Sequence, residues 1–244
     1  MTIRCVLLVF AMEAEAAPFI AKLGLVQDDP PRVQQPAPCI TYSGKAGDLA
    51  VHVVWNGRCS IHNVDNVGTV PAALSTYLAV QAFQPDIIIS AGTAGGFKSK
   101  GACIGDIFAS TAVVNHDRRI PLPAFDKYGR GRTDTWPVTA LVAALGLKTG
   151  VVTSGNSLDH TERCLEVMAA EGAAVKEMEV AAIAWVAALF NKPVVAIKAI
   201  TDIVDGERAT QEEFLENLGA AAAALQATLP QVLEFMAGKA LKDL

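Results

Sequence analysis

The strongest constraint on this chain is a set of short apolar runs without polar alternation. "IRCVLLVF" (Ile3–Phe10), "PDIIIS" (Pro85–Ser90) and "PVVAIKAIT" (Pro193–Thr201) stand out among them. A strand with one wet face alternates apolar and polar side chains, while a strand buried on both faces is apolar throughout. Segments with helical spacing lie between the runs: "AMEAEAAPFIAKLG", "VGTVPAALSTYLAVQAF", "TDTWPVTALVAALG", "TERCLEVMAAEG" and "EVAAIAWVAALF". The last is apolar nearly all round, so it reads as a buried helix. "GDIFASTAVV" and "LKTGVVTSG" read as further strands, "CITYSG" and "LAVHVVW" as a strand pair, and "DDPPRVQQPAP" as a surface loop. This alternation predicts an α/β fold with a mostly parallel or mixed sheet covered by helices on both faces. Thr210 and Glu213 are spaced as a capping box for a last helix to about Met236. No repeat or low-complexity linker divides residues 1–244, so a single domain is expected.

Composition narrows the function. The mean hydropathy is high at +0.34. Yet apolar stretches such as "CVLLVFAM" fall far short of the ~20 residues a membrane helix needs. No basic leader with a cleavage site opens the sequence, so a cytoplasmic location and no membrane partner are expected. The net charge is −5, and "HDRRI" is the one small basic cluster. This argues against nucleic acid as a partner. Five widely spaced cysteines without CxxC, and four histidines without HxxxH, argue against a disulfide framework or a metal site. The glycine-rich "AGTAGGF" lacks the GK[ST] of a P-loop, GxGxxG is absent, and no cofactor is expected.

In open α/β sheets the ligand sits at the carboxyl ends of the strands. "MEAE", "SAGTAGG", "SGNSLD" and "TDIVDG" all fall there. Glycines after a strand admit close backbone approach and offer amide donors, or simply make a tight turn. Glu13 and Glu15 are two residues apart, so at most one faces the strand ends. Glu177 and Glu179 straddle Met178 before an apolar helix. A carboxylate there either caps the helix or holds a polyol through two hydroxyl hydrogen bonds. Asp202 ends an apolar run, either as a turn former or as a desolvated acid able to donate a proton near neutrality. Asp205, next to Gly206, reads as a turn former. Together these features gather three acids and a glycine-rich turn at one sheet edge, with no Ser/His/Asp or Cys/His arrangement.

Seven blocks occur in order: "FAMEAEA", "NVGTVPA", "PDIIISAGTAGGFKSKGACIGD", "HDRRIPLPAFDKYG", "GNSLD", "KEMEVAA" and "AITDIVDG". In sequence and spacing they resemble the 5′-methylthioadenosine/S-adenosylhomocysteine nucleosidases of the nucleoside phosphorylase superfamily, most of all the plant type. The resemblance runs from about Ile3 to the C-terminus and implies a three-layer αβα fold, a twisted mixed β-sheet flanked by helices. It implies that Glu15 activates the attacking water, that Asp202 protonates adenine N7 and that Glu179 grips the ribose hydroxyls with Met178 against the sugar. Thr93, Ala94 and Gly95 match the turn near the water, and Leu158 and Lys176 the adenine pocket. Phe125 matches a loop that crosses a homodimer interface to the alkylthio pocket. The substrate would be a small nucleoside, cleaved to adenine and 5-methylthioribose in methionine salvage. Asn156 departs from the family's aspartate, and "GRCSIHN" matches loosely. Two rivals stay open. A phosphorylase on this fold needs a phosphate ligand. Ser90 stands where bacterial-type phosphorylases carry arginine, although Arg58 and Arg118 remain candidates. A non-catalytic binding protein would be expected to lose the acids.

Overall fold

The computed structural model describes residues 2–244. The chain runs β1 (Cys5–Phe10), α1 (Glu13–Leu23), β2 (Val26–Gln27), β3 (Ile40–Ala46), β4 (Leu49–Trp55), α2 (Thr69–Phe83), β5 (Ile87–Gly96) and β6 (Ile107–Asn115). It continues through α3 (Phe125–Arg130), β7 (Thr133–Asp134), α4 (Thr139–Leu145), β8 (Lys148–Ser154), α5 (Glu162–Ala170), β9 (Ala173–Glu177), α6 (Val180–Leu189), β10 (Val194–Ile203) and α7 (Thr210–Met236). The strands form one mixed sheet flanked by helices. Their order is β10-β6-β8-β9-β5-β1-β4-β3-β2, with β7 on β6.

The apolar runs explain themselves in this sheet. Val6, Leu8 and Phe10 of β1 pack toward α1 and α7 with Phe19, Leu225, Leu229 and Leu233. Leu7 and Val9 point the other way, toward α2 and α6 with Val80, Val180 and Ile183. Both faces of the strand are covered, so both parities must be apolar. Each such side chain contributes roughly 1.5–3 kcal/mol of burial.

Three features differ from the sequence reading. First, β10 pairs with β5 as well as β6, which closes β5, β10, β6, β8 and β9 into a ring. The long β5 makes this possible: its first half pairs with β1, its last residues with β9, and β10 runs along both. Second, "AAVKE" is the short strand β9, too short and Ala-rich to reveal a period. Third, the Thr210/Glu213 capping box does not form. Helix α7 starts at Thr210 with Ala209 as N-cap and no side-chain cap. Glu213 instead accepts the Ile203 N–H at 2.8 Å, satisfying a donor where β10 leaves the sheet. Among the described residues no helix is long and apolar enough to cross a membrane, and no group of three His, Cys, Asp or Glu side chains could hold a metal.

Candidate active site

Strands β1, β5 and β10 run parallel, so their carboxyl ends open on one side. Helix α1 starts just past β1 and carries Glu13 and Glu15 in its first turn. Glu13 turns outward to Arg58 at 2.7 Å, where both side chains are about half exposed. Glu15 turns inward and is 5% exposed. Its Oε1 accepts the Thr93 N–H at 2.7 Å and the Thr93 hydroxyl at 2.6 Å. Its Oε2 accepts the Met12 N–H at 3.3 Å. Gly92 lies against this carboxylate: a Cβ there would sit 3.1 Å from Oε2. Burial raises the Glu15 pKa, and the Thr93 bonds oppose the rise.

Glu177 and Glu179 divide the two readings between them. Glu177 caps α6, accepting the Glu179 and Val180 N–H groups, each at 3.0 Å from Oε1. It also takes the Ser154 hydroxyl and pairs with Lys198 Nζ at 3.0 Å. Glu179 does not cap its own helix. Its Oε1 accepts the Gly68 N–H at the start of α2, at 2.8 Å. Burial first, and then the neighbouring Glu177, pushes the Glu179 carboxyl up to about 7. Lys198 pulls in the opposite direction on Glu179. The Glu177 and Lys198 side chains are 1% and 3% exposed, so this is a buried ion pair. The Glu177, Glu179 and Glu15 carboxylates together raise the Lys198 pKa despite burial. Glu15, Ser90, Glu179 and Lys198 line a void of about 10 Å³, roughly the size that admits one water.

Asp202 lies one residue before the end of β10, just after an irregularity that shifts the register between Ile200 and Asp202. Such a bulge re-aims the side chain. The Asp202 carboxyl is 2% exposed. The Thr201 hydroxyl donates to its Oδ1 at 2.7 Å, leaving Oδ2 against Gly95. Burial raises the Asp202 pKa, with the Thr201 bond and Lys176 opposing. Asp205 accepts the Lys98 and Ser99 N–H groups at 2.6 and 2.9 Å, so it stabilises a turn outside the site.

Glu15, Thr93, Ala94, Gly95, Leu158, Lys176, Met178, Glu179 and Asp202 all line one cavity of about 240 Å³. Phe125 does not line it; it is half-exposed and packs edge-on to Tyr128, with ring centroids 6.2 Å apart. Lys176 Nζ donates to the Leu158 carbonyl at 2.6 Å and the Ser157 carbonyl at 3.2 Å, tying the 157–158 loop to the cavity wall. Asn156 lies outside the cavity. Its Oδ1 accepts the Thr69 N–H at 3.0 Å and hydroxyl at 2.8 Å, capping α2. A neutral acceptor suffices for that bond, so the departure from aspartate costs no contact here.

Sequence reasoning passed over Lys198, Thr201, Val67 and Phe214. For Lys198 there was a signal. A lone lysine inside "VVAIKAIT" must be buried, and a buried ammonium needs a carboxylate partner. The other three become site residues only through long-range pairing.

Gly95 yields a steric prediction. A Cβ there would lie 2.6 Å from Asp202 Oδ2 and 2.8 Å from Val204 Cγ2. Gly95→Ala must therefore displace Asp202 or Val204, and overpacking of this kind typically costs about 1–3 kcal/mol. We expect a lowered Tm by calorimetry, with the fold intact by circular dichroism.

A mixed sheet with acids at its strand ends and a glycine-rich turn defines a class, and residues 6–234 match the phosphorylase superfamily. A 5′-methylthioadenosine/S-adenosylhomocysteine nucleosidase of Arabidopsis thaliana is 46% identical over 99% of this chain and 95% of its own length. A 5′-methylthioadenosine nucleosidase of the same plant is 46% identical over 99% of this chain and 91% of its own. The solved apo structure of an Arabidopsis thaliana 5′-methylthioadenosine nucleosidase superposes with TM-score 0.97 at 46% identity, covering both chains fully. The chain belongs to the 5′-methylthioadenosine/S-adenosylhomocysteine nucleosidases, the purine nucleoside hydrolases of this superfamily.

Proposed function

We propose that this chain, folded as one domain over 1–244, hydrolyses the N-glycosidic bond of 5′-methylthioadenosine in the cytoplasm, giving adenine and 5-methylthioribose for methionine salvage. The observation that carries the proposal is that Glu15, Glu179 and Asp202 wall one cavity that no arginine lines. Bond cleavage leaves positive charge on the sugar and negative charge on the base. In its carboxylate form Glu15, held by Thr93, takes the proton of the attacking water. Asp202, its pKa raised by burial, gives a proton to adenine N7. Two carboxyl groups in different environments divide acid and base work, as in glycoside hydrolysis. Glu179 accepts the ribose hydroxyls, and Met178 packs against the sugar. Adenine release measured with and without phosphate tests the reaction. Phosphate-independent release is expected, and a phosphate-dependent sugar 1-phosphate overturns hydrolysis in favour of phosphorolysis. S-adenosylhomocysteine is named for one Arabidopsis relative and not for the other, so it is assayed beside methylthioadenosine. Binding of methylthioadenosine without adenine release overturns the catalytic reading.

The pH profile follows from three groups, the first being Glu15, which must be ionised although burial raises its pKa. Glu179 at about 7 grips hydroxyls best when ionised, so kcat/KM falls as pH drops below about 7. Asp202 must be protonated, so activity falls as pH rises through its raised value. A bell-shaped profile is expected, with its limbs shared among these carboxyl groups and not owned by one residue each. The same group affects stability. Glu179 has a folded pKa of about 7 against an ordinary 4.5. Its stabilising contribution is therefore full below about 4.5 and lost as pH rises through about 7. Glu179→Gln should flatten that part of the Tm-versus-pH curve and remove the Glu179 contribution to the acid limb of the activity profile. Unchanged curves in the variant would exclude Glu179 as their source.

We also propose a homodimer in which the loop carrying Phe125 reaches the partner's site. Supporting it, Val70, Leu74 and Tyr77 of α2 and Trp185 and Leu189 of α6 leave large apolar surface exposed. Exposed apolar patches of this kind mark association surfaces. Light scattering should give twice the 25.6 kDa chain mass, and a monomer at assay concentration would refute the proposal.

A further inference from the structure

A second cavity of about 270 Å³ lies apart from the acids. Arg118, Arg119, Arg130 and Arg163 line it, with His116 and a single carboxylate, Asp126. These residues come from the segment after β6, from α3 and from α5, so the cluster is made by the fold and not by one run of sequence.

The arginines are only partly neutralised. Arg119 makes one side-chain contact, to Cys164 Sγ at 3.4 Å. Among the described residues it has no carboxylate partner. Arg118 spends its donors on the Gly129 and Tyr128 carbonyls. Arg130 reaches Asp126 at 3.7 Å and Glu171 at 3.2 Å, but Glu171 is shared with Arg132 at 3.0 Å. Arg163 pairs with Glu166 one helical turn away, an exposed contact that is weak and easily exchanged. His116 adds an independent sign. It is 2% exposed, and its Nδ1 is buried with no hydrogen-bond partner. A buried ring nitrogen without a partner is costly unless something supplies one. Burial, and then Lys176, pushes the His116 pKa down to about 4, so the ring is neutral and offers one N–H.

We propose that this cavity is a binding site for a phosphate monoester of a small molecule. Guanidinium groups match phosphate oxygens bidentately and stay charged at all working pH values. The volume exceeds what bare phosphate fills but is small for a drug-sized ligand, so phosphate with a short carbon body fits best. Bound there, the anion ties the segment bearing Phe125 to α5.

The test is calorimetric titration at constant ionic strength with inorganic phosphate and with ribose 5-phosphate, on wild type, Arg119→Ala, Arg163→Ala and Asp202→Asn. We expect saturable binding, tighter for ribose 5-phosphate. We expect Kd to rise at least about tenfold in each arginine variant, the loss of one charged contact, and to stay unchanged in Asp202→Asn. Both arginines are exposed, so each variant should keep its circular dichroism spectrum and melting curve. If one unfolds, Arg119→Gln or Arg163→Gln replaces it. Three results overturn the proposal: heat linear in concentration; binding equal in wild type and both arginine variants; or binding weakened by Asp202→Asn, which would locate the anion in the catalytic cavity. Binding of free phosphate with no gain for the monoester retains an anion site but overturns the monoester. Titration reads binding and not adenine release, so its failure and that of the nucleosidase reading are separate.

Discussion

In Asp202→Asn we expect kcat to fall by about 10²–10⁴-fold, the span of a general acid, while binding of 5′-methylthioadenosine stays within about tenfold. The substitution keeps shape. Asparagine Oδ1 can still accept the Thr201 hydroxyl that now lies 2.7 Å from the carboxylate, and its amide can still donate to N7. It cannot transfer a proton to N7, so adenine would have to leave as an anion. The effect therefore falls on a transition-state interaction and appears in kcat, not in the dissociation constant. The Asp202 contribution to the alkaline limb of the pH profile should vanish with it. Adenine release gives kcat, and single-turnover mixing confirms that chemistry limits the rate. A variant within tenfold of wild type, or one that loses binding in proportion to activity, would remove Asp202 from the role of acid.

What the sequence carries and what it hides differ in physical kind. The apolar runs encode burial on both faces of β1, β5 and β10, and that burial calls for a sheet covered by helices on both sides, parallel or mixed. The positions of acids after those runs follow from topology, because parallel strands bring their ends together. Closure is different. The β10–β5 pairing depends on register between segments about a hundred residues apart, and no local periodicity records register. The failed capping box at Thr210 has the same origin. Local spacing suggested one partner for Glu213, and tertiary structure supplied another in the Ile203 amide. The division between Glu177 and Glu179 was open for the same reason. Both precede α6, and only the place of Lys198 on the adjoining β10 and of Gly68 at α2 decides which carboxylate caps and which faces the cavity.

That division makes Lys198 the counter-charge of the whole site, and its removal should have the largest effect on stability. Glu15, Glu177 and Glu179 all raise the Lys198 pKa, so one ammonium balances three carboxyl groups. Lys198→Met keeps the length of the side chain and the apolar packing of its stem. It leaves Glu177, 1% exposed, as a buried charge without its ion partner. Breaking a buried pair in this way costs about 3–5 kcal/mol. For a chain of this size each kcal/mol moves Tm by about 2–4 °C, so the expected drop is roughly 6–20 °C by calorimetry. The double variant Lys198→Met/Glu177→Gln removes the stranded charge. It should recover much of the loss, since replacing both ions is often near neutral where removing one is not. Activity supplies a second readout. Lys198 holds the Glu179 pKa down from where burial would take it, so the acid limb of kcat/KM should move to higher pH in the single variant. A Tm change under about 2 °C, below 1 kcal/mol on the same scale, would show that the pair does not hold the site. So would a double variant no more stable than the single one. An acid limb that stays near pH 7 would separate Lys198 from the ionisation of Glu179.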